Sequence, residues 1–311
     1  MQLFLRRVFI FFIVPASVFF CFLLALSYLN KKSFSNYRVA VDIQDVFIGD
    51  SHVQMTINDS LLPNAINLSQ NSETYKFSYY KLESLLEQNA SLKRVYLGFG
   101  YHSLSNYNDA YIFGKYSKDI SARYFFILPV KEQTKTILDN RKVLPVNFRN
   151  IIELGCHNAQ HIEPYSFLGF YDNTFFNASV QDSSLNKRVK SQFFYDNGAV
   201  RGFSVVNLYY LKQIIKLCAD KRVELVLINT PIHKNYRNKI TTKYVTEYYA
   251  IAKQNNLSVL EFNHLNLTDS CFIPDGDHVS AKGAWLATEY VKQQMAHTPI
   301  GFLDNEKQTT H

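Results

Sequence analysis

Cysteine is scarce, with four in 311 residues. Cys21 lies inside a long apolar run, which leaves Cys156, Cys218 and Cys271 beyond it. Three thiols close at most one disulfide, so a scaffold stapled by several bridges is excluded. Runs of five or six like charges are also missing, although the net charge is +7. That excludes a basic nucleic-acid-binding arm, and no nucleic-acid partner is expected. Absent too are a glycine-rich phosphate loop, an EF-hand loop and an internal repeat. The His-Glu-x-x-His pattern does not occur. Cys156-His157 and His161 place two histidines at i, i+4, but a third ligand would have to come from Cys156 or Glu153. A polar helix surface is the simpler reading, so neither a metal nor a cofactor is expected.

What is present is an ordinary core composition: 47% hydrophobic and 19% charged residues. The 25 Phe and 21 Tyr can fill a core, and they also suit a cleft that receives sugar rings or acyl chains. A mild basic excess fits a protein lying near anionic lipid or acidic glycan.

Between Arg7 and Lys31 the chain carries no charge. From Val8 to Leu29 such a run reaches about 30 Å as a helix, the thickness of a bilayer's hydrocarbon layer. Ala25-Leu26-Ser27 is a poor cleavage site, so residues 1–32 are expected to form an uncleaved signal anchor. Two basic residues flank each side and hardly set the orientation. The short N-terminal tail favours an exported domain, on the periplasmic or extracellular side.

Beyond the anchor, short apolar runs alternate with helical periodicity. Strands are expected over 45–50, 65–68, 94–98, 223–228 and 257–262. Helices are expected over 74–88, with Ser72 as a cap, from Ser204 through 219, over 241–255, and from Ser280 through 295. This alternation predicts an α/β fold with a parallel sheet covered on both faces and ligands at the carboxyl ends of the strands. Residues 101–202 show no sustained period and are read as an insertion or lid with short helices of its own. It separates a first part, 33–100, from a second part, 203–297, and residues 298–311 form a polar tail.

Two segments carry chemistry. Gly49-Asp50-Ser51-His52 puts a serine after a strand and a turn-permitting glycine, where its backbone N–H can face a reacting centre. Asp275-Gly276-Asp277-His278 sits just before the last helix. A serine nucleophile needs a neutral imidazole and a carboxylate that fixes its tautomer, and these types stand here at opposite ends of one βαβ pattern. Each segment alone is ordinary turn chemistry. Together they resemble the first and last blocks of the SGNH/GDSL hydrolases, with Lys282-Gly283-Ala284 continuing the second block. The resemblance covers residues 45–105 and 204–296.

It implies a flavodoxin-like three-layer α/β/α fold, Ser51 as nucleophile, His278 as base and Asp275 as orienting acid, with Asp277 the alternative. The middle blocks depart from the family pattern. Asn67-Leu68-Ser69 lacks the expected glycine, and Gly98-Phe99-Gly100-Tyr101-His102 lacks the expected asparagine. Oxyanion donors are therefore sought in the N–H groups of Ser51, Ser69 and Gly100 and in the ring of His102. His52 and His233 are candidates for the substrate cleft.

In exported, anchored form the chain looks like DltD-type and polysaccharide-modifying members. That resemblance implies an esterase or O-acyltransferase acting on an acylated envelope glycan, lipid-linked substrate or polymer, with envelope acyl-transfer partners. The competing expectation is a catalytically weak or inactive binding module of an envelope export or modification machine. A third, a protease or bulk-lipid lipase, is disfavoured by the polar, Tyr-rich insertion.

Overall fold

The computed structural model describes residues 1–33, 35–114, 116–139, 168–176 and 179–297, with positions 141, 145, 146, 148, 149, 152 and 153. In chain order the elements are α1 (Gln2–Ser33), β1 (Asp45–Ile48), α2 (Ser51–Thr56), β2 (Ala65–Asn67), α3 (Tyr75–Gln88) and β3 (Arg94–Gly98). After 3₁₀ turns at Tyr101–Leu104 and Asn106–Asn108 come α4 (Asp109–Ile112), α5 (Ser117–Tyr124), α6 (Val130–Asp139) and α7 (Asp182–Phe193). The chain continues through α8 (Val205–Lys221), β4 (Glu224–Asn229), α9 (Lys234–Arg237), α10 (Thr242–Gln254), β5 (Ser258–Glu261) and α11 (Ala281–His297).

The five strands form one sheet in the order β2-β1-β3-β4-β5, and every pair is parallel. Parallel neighbours require crossover helices, and those helices cover both faces, so a central strand is apolar at successive positions. β1 shows it: Val46 and Ile48 join the large core under α3, α8 and α10, while Phe47 joins the opposite core with Val53, Ala287 and Val291. The three-layer α/β/α architecture expected from the alternation is what the chain adopts.

Several boundaries differ by a few residues. β1 ends at Ile48 because the chain must turn at Gly49 to place α2 across the strand end. A Cβ on Gly49 would lie 2.8 Å from Val53 Cγ2, and one on Gly98 would lie 2.6 Å from the same atom. The α3 cap also differs. Thr74 occupies the N-cap position, whereas Ser72 sits at φ 62° and turns its hydroxyl to Asn71. Ser204 caps α8 as expected, its Oγ accepting from Asn207 N–H at 2.9 Å. The helix stops where Arg222 adopts the left-handed conformation.

Within the irregular stretch, α7 seats Leu185, Val189 and Phe193 in the large core, and Tyr124 and Leu168 join them. The Cys156, His157 and His161 group lies outside the described residues, as do positions 298–311. Among the described residues, α1 is the helix long and apolar enough to cross a membrane.

Candidate active site

Ser51 opens α2, directly after β1. Asp50 caps that helix through its carboxylate, which accepts from His52 N–H at 3.0 Å. At the other end of the chain, residues 272–279 form a tight loop closed by a bridge between Phe272 and Val279. Gly276 takes φ 65° at its tip, and its carbonyl accepts from His233 N–H at 2.8 Å, which ties the loop to the end of β4. Asp275 Oδ1 accepts from the backbone N–H of Asp277 and His278, at 2.9 and 3.1 Å. That leaves Oδ2 to meet His278 Nδ1 at 2.8 Å. With Nδ1–H donating to the carboxylate, Nε2 is the free acceptor, and Ser51 Oγ lies 2.8 Å from it. Burial opposes the charge on Asp275, but the His278 contact outweighs it and holds the carboxyl below its ordinary pKa.

Asp277, the alternative acid, faces elsewhere. Its Oδ2 accepts from Arg188 Nε at 2.7 Å and Gln192 Nε2 at 2.8 Å, both on α7. Gln192 Oε1 in turn accepts from the buried Tyr236 hydroxyl. The same Oδ2 lies 3.0 Å from His52 Nε2, an ion-pair contact rather than a well-aligned hydrogen bond. Arg188, Gln192 and Tyr236 were not legible as site residues, because they come from the irregular stretch and from the short helix after β4.

His52 is buried, 3% exposed, and its ring lies between those of His102 and His278, with centroids 3.9 and 4.3 Å away. Its Nδ1 donates to Asp50 Oδ1 at 2.9 Å while Nε2 faces Asp277. Burial works against its charge, yet Asp277 and Asp50 together raise its pKa to about 10. Both carboxyls are held well below their ordinary values, by His52 and Arg188 at Asp277 and by His52 and His102 at Asp50. His233 is also buried. Its Nδ1 accepts from Asn235 N–H at 3.3 Å and its Nε2 lies 3.1 Å from Asp269 Oδ1, at the wall of a cavity of about 690 Å³.

The expected oxyanion donors beyond Ser51 are occupied internally. Ser69 N–H donates to Asn67 Oδ1 at 3.0 Å, and Gly100 N–H to Ser103 Oγ at 3.3 Å. His102 Nε2 donates to Asp50 Oδ2 at 2.7 Å, and burial together with the neighbouring His52 charge lowers its pKa. Asp50, His52 and His102, or His52, Asp277 and His278, are close enough to hold a metal ion. Their contacts are those of a hydrogen-bonded charge network instead. The stacked rings lie nearly parallel, which does not aim two in-plane lone pairs at one point.

The network makes stability depend on pH. The depressed Asp50, Asp275 and Asp277 contribute stability above about pH 4 that is lost as pH falls further. His52, raised from 6.5 to about 10, contributes stability below pH 6.5 that is lost as pH rises to 10. Thermal denaturation from pH 4 to 10 should therefore show an alkaline decline that is shallower in His52→Gln. Equal declines in both proteins would contradict the charge assignment.

By sequence, the chain matches no family profile and no curated protein. By structure it is similar to a nominal platelet activating factor protein of Streptococcus pneumonia, at 13% identity and TM-score 0.39, covering 91% of this chain and 98% of that one. A GDSL-like lipase of Bacteroides thetaiotaomicron overlaps at 10% identity and TM-score 0.36, covering 85% and 98%. A nominal acylhydrolase of Bacteroides fragilis overlaps at 9% identity and TM-score 0.36, covering 83% and 88%. Overlaps this loose transfer neither activity nor substrate to this chain.

Proposed function

We propose that the chain is a membrane-anchored serine esterase or O-acyltransferase of the SGNH type. The observation that carries this reading is the relay Ser51 Oγ, His278 Nε2, His278 Nδ1, Asp275 Oδ2, with both contacts at 2.8 Å. Ser51 Oγ attacks an acyl carbonyl as His278 takes its proton, and Asp275 stabilises the imidazolium. His278 then returns the proton to the departing alcohol, leaving an acyl group on Ser51. Water or a sugar hydroxyl, deprotonated by His278, completes hydrolysis or transfer.

The substrate reading is an acylated envelope glycan or polymer on the extracytoplasmic side. It is supported by α1, which puts the catalytic head close behind a membrane-length helix. A cavity of about 640 Å³ beside the His278 loop, lined by Phe175, Phe176 and Lys282, offers aromatic faces of the kind that sugar rings pack on. The occupied N–H groups of Ser69 and Gly100 favour a second reading, a catalytically weak binding module, because losing one oxyanion donor typically costs 10²–10³ in rate.

Treating the full chain in detergent with a fluorophosphonate probe separates the two. Wild type should be labelled and Ser51→Ala should not. A folded wild type that resists the probe would shift the assignment to a binding module.

A further inference from the structure

We propose that His52 is a positioning residue: a fixed imidazolium stacked under His278 that opposes a second charge on the base and holds it aligned with Ser51. The inference rests on the serine-relay reading above and concerns a residue that the relay itself does not use.

His52 follows the nucleophile in sequence and lies under the base in space. Its ring is 4.3 Å from that of His278, at an interplanar angle of 20°. Unlike an ordinary packing residue it meets a carboxylate at both ring nitrogens, in a hydrogen bond to Asp50 from the turn after β1 and in an ion-pair contact with Asp277 from the His278 loop. Asp277 is anchored in turn by Arg188 and Gln192 from α7, and Gln192 by Tyr236 from α9. Asp50 also accepts from His102, which stacks on the far face of His52.

The groups facing this ring are thus Asp50, Asp277, His102 and His278, with Arg188 and Asp275 one contact away. Two carboxylates at its two nitrogens favour the doubly protonated ring, and the raised pKa agrees with that. A positive charge on a ring stacked 4.3 Å away opposes a second one on His278. The clamp also fixes the plane against which His278 rests.

The sign of the effect is testable. Substituting His52 with Gln removes the positive charge and leaves Asp50 and Asp277 uncompensated. Both changes favour protonation of His278. The midpoint of the pH dependence of fluorophosphonate labelling should therefore rise by about one unit or more in His52→Gln. A residue that only packs would lower the rate without moving the midpoint. In parallel, ¹⁵N-histidine NMR of the wild-type full chain in detergent should show one imidazole, absent from the His52→Gln spectrum, doubly protonated at pH 8.5. A neutral His52 at that pH, or an unshifted midpoint in a folded variant, would overturn the inference and leave the relay standing. If His52→Gln does not fold, the wild-type spectrum decides by the number of imidazoles still doubly protonated. Wild type that never reacts with the probe would strike the serine reading itself.

Discussion

Replacing His278 with alanine is expected to slow acylation of Ser51 by on the order of 10⁴-fold or more. A serine hydroxyl is a weak nucleophile, and among the described residues the base placed within hydrogen-bond reach of Ser51 Oγ is His278 Nε2, at 2.8 Å. Both ring nitrogens of His52 face carboxylates and His102 Nε2 donates to Asp50, so neither ring is placed as the base. Asp275→Asn should also cost several orders of magnitude, because an amide NH₂ facing Nδ1 favours the tautomer that puts the proton on Nε2.

Single-turnover reaction with an aryl acetate, or the second-order rate of probe labelling, measures both variants. Ser51→Ala sets the floor, since acylation has no other acceptor. A His278→Ala protein that retains a tenth of the wild-type rate would mean that the serine is not activated by this histidine. The order of magnitude is large because the relay acts as a unit: without the base, orientation by Asp275 has nothing to orient.

The largest effect on stability should come from Lys81→Met, a loss of about 3–5 kcal/mol. Lys81 and Glu73 form an ion pair with both side chains fully buried. Lys81 Nζ also donates to the carbonyls of Leu68 and Leu168, while Glu73 accepts from the hydroxyls of Ser78 and Tyr124. Burial raises the pKa of Glu73 and lowers that of Lys81, the direction in which desolvation drives each group toward neutrality.

Methionine has the length of the lysine stem but leaves the buried Glu73 carboxyl without its cation. The loss should be partly recovered in the double variant Lys81→Met, Glu73→Leu, where neither charge remains to be desolvated. Denaturation of the full chain in detergent reads both proteins. A single variant within 1 kcal/mol of wild type would show that the pair is not desolvated in solution. Because Lys81 holds the Leu68 carbonyl, next to Ser69, its loss should also lower the labelling rate of Ser51.

The architecture was readable because a doubly covered parallel sheet imposes a local pattern. Val46-Phe47-Ile48, Val95-Tyr96-Leu97 and Leu225 to Ile228 are apolar without interruption, since each residue finds a helix on whichever face it points to. Ser204 declared its helix through a cap that needs only the neighbouring backbone. The first and last chemical segments were legible for a similar reason: Asp50-Ser51 and Asp275 to His278 are each short turns whose internal geometry is local.

Which acid faces the base was named through the family resemblance as Asp275, with Asp277 left as the alternative. Asp275 and Asp277 are two residues apart on one loop, and their assignment depends on Gly276 at φ 65° and on Arg188 and Gln192 arriving from α7 to claim Asp277. The irregular composition of 101–202 hid those partners, because side chains that satisfy a distant buried charge leave no periodicity behind. The surroundings of His52 were hidden for the same reason. A histidine beside a nucleophile reads as a cleft candidate, and only the fold brings Asp50, Asp277, His102 and His278 around it. Sequence thus determined the anchor-length helix, the layered sheet and the residue types of the relay, all set by local spacing and hydrophobic pattern. Only the tertiary structure decided which carboxylate pairs with which imidazole, because buried charges are assigned by distance in space and not by distance along the chain.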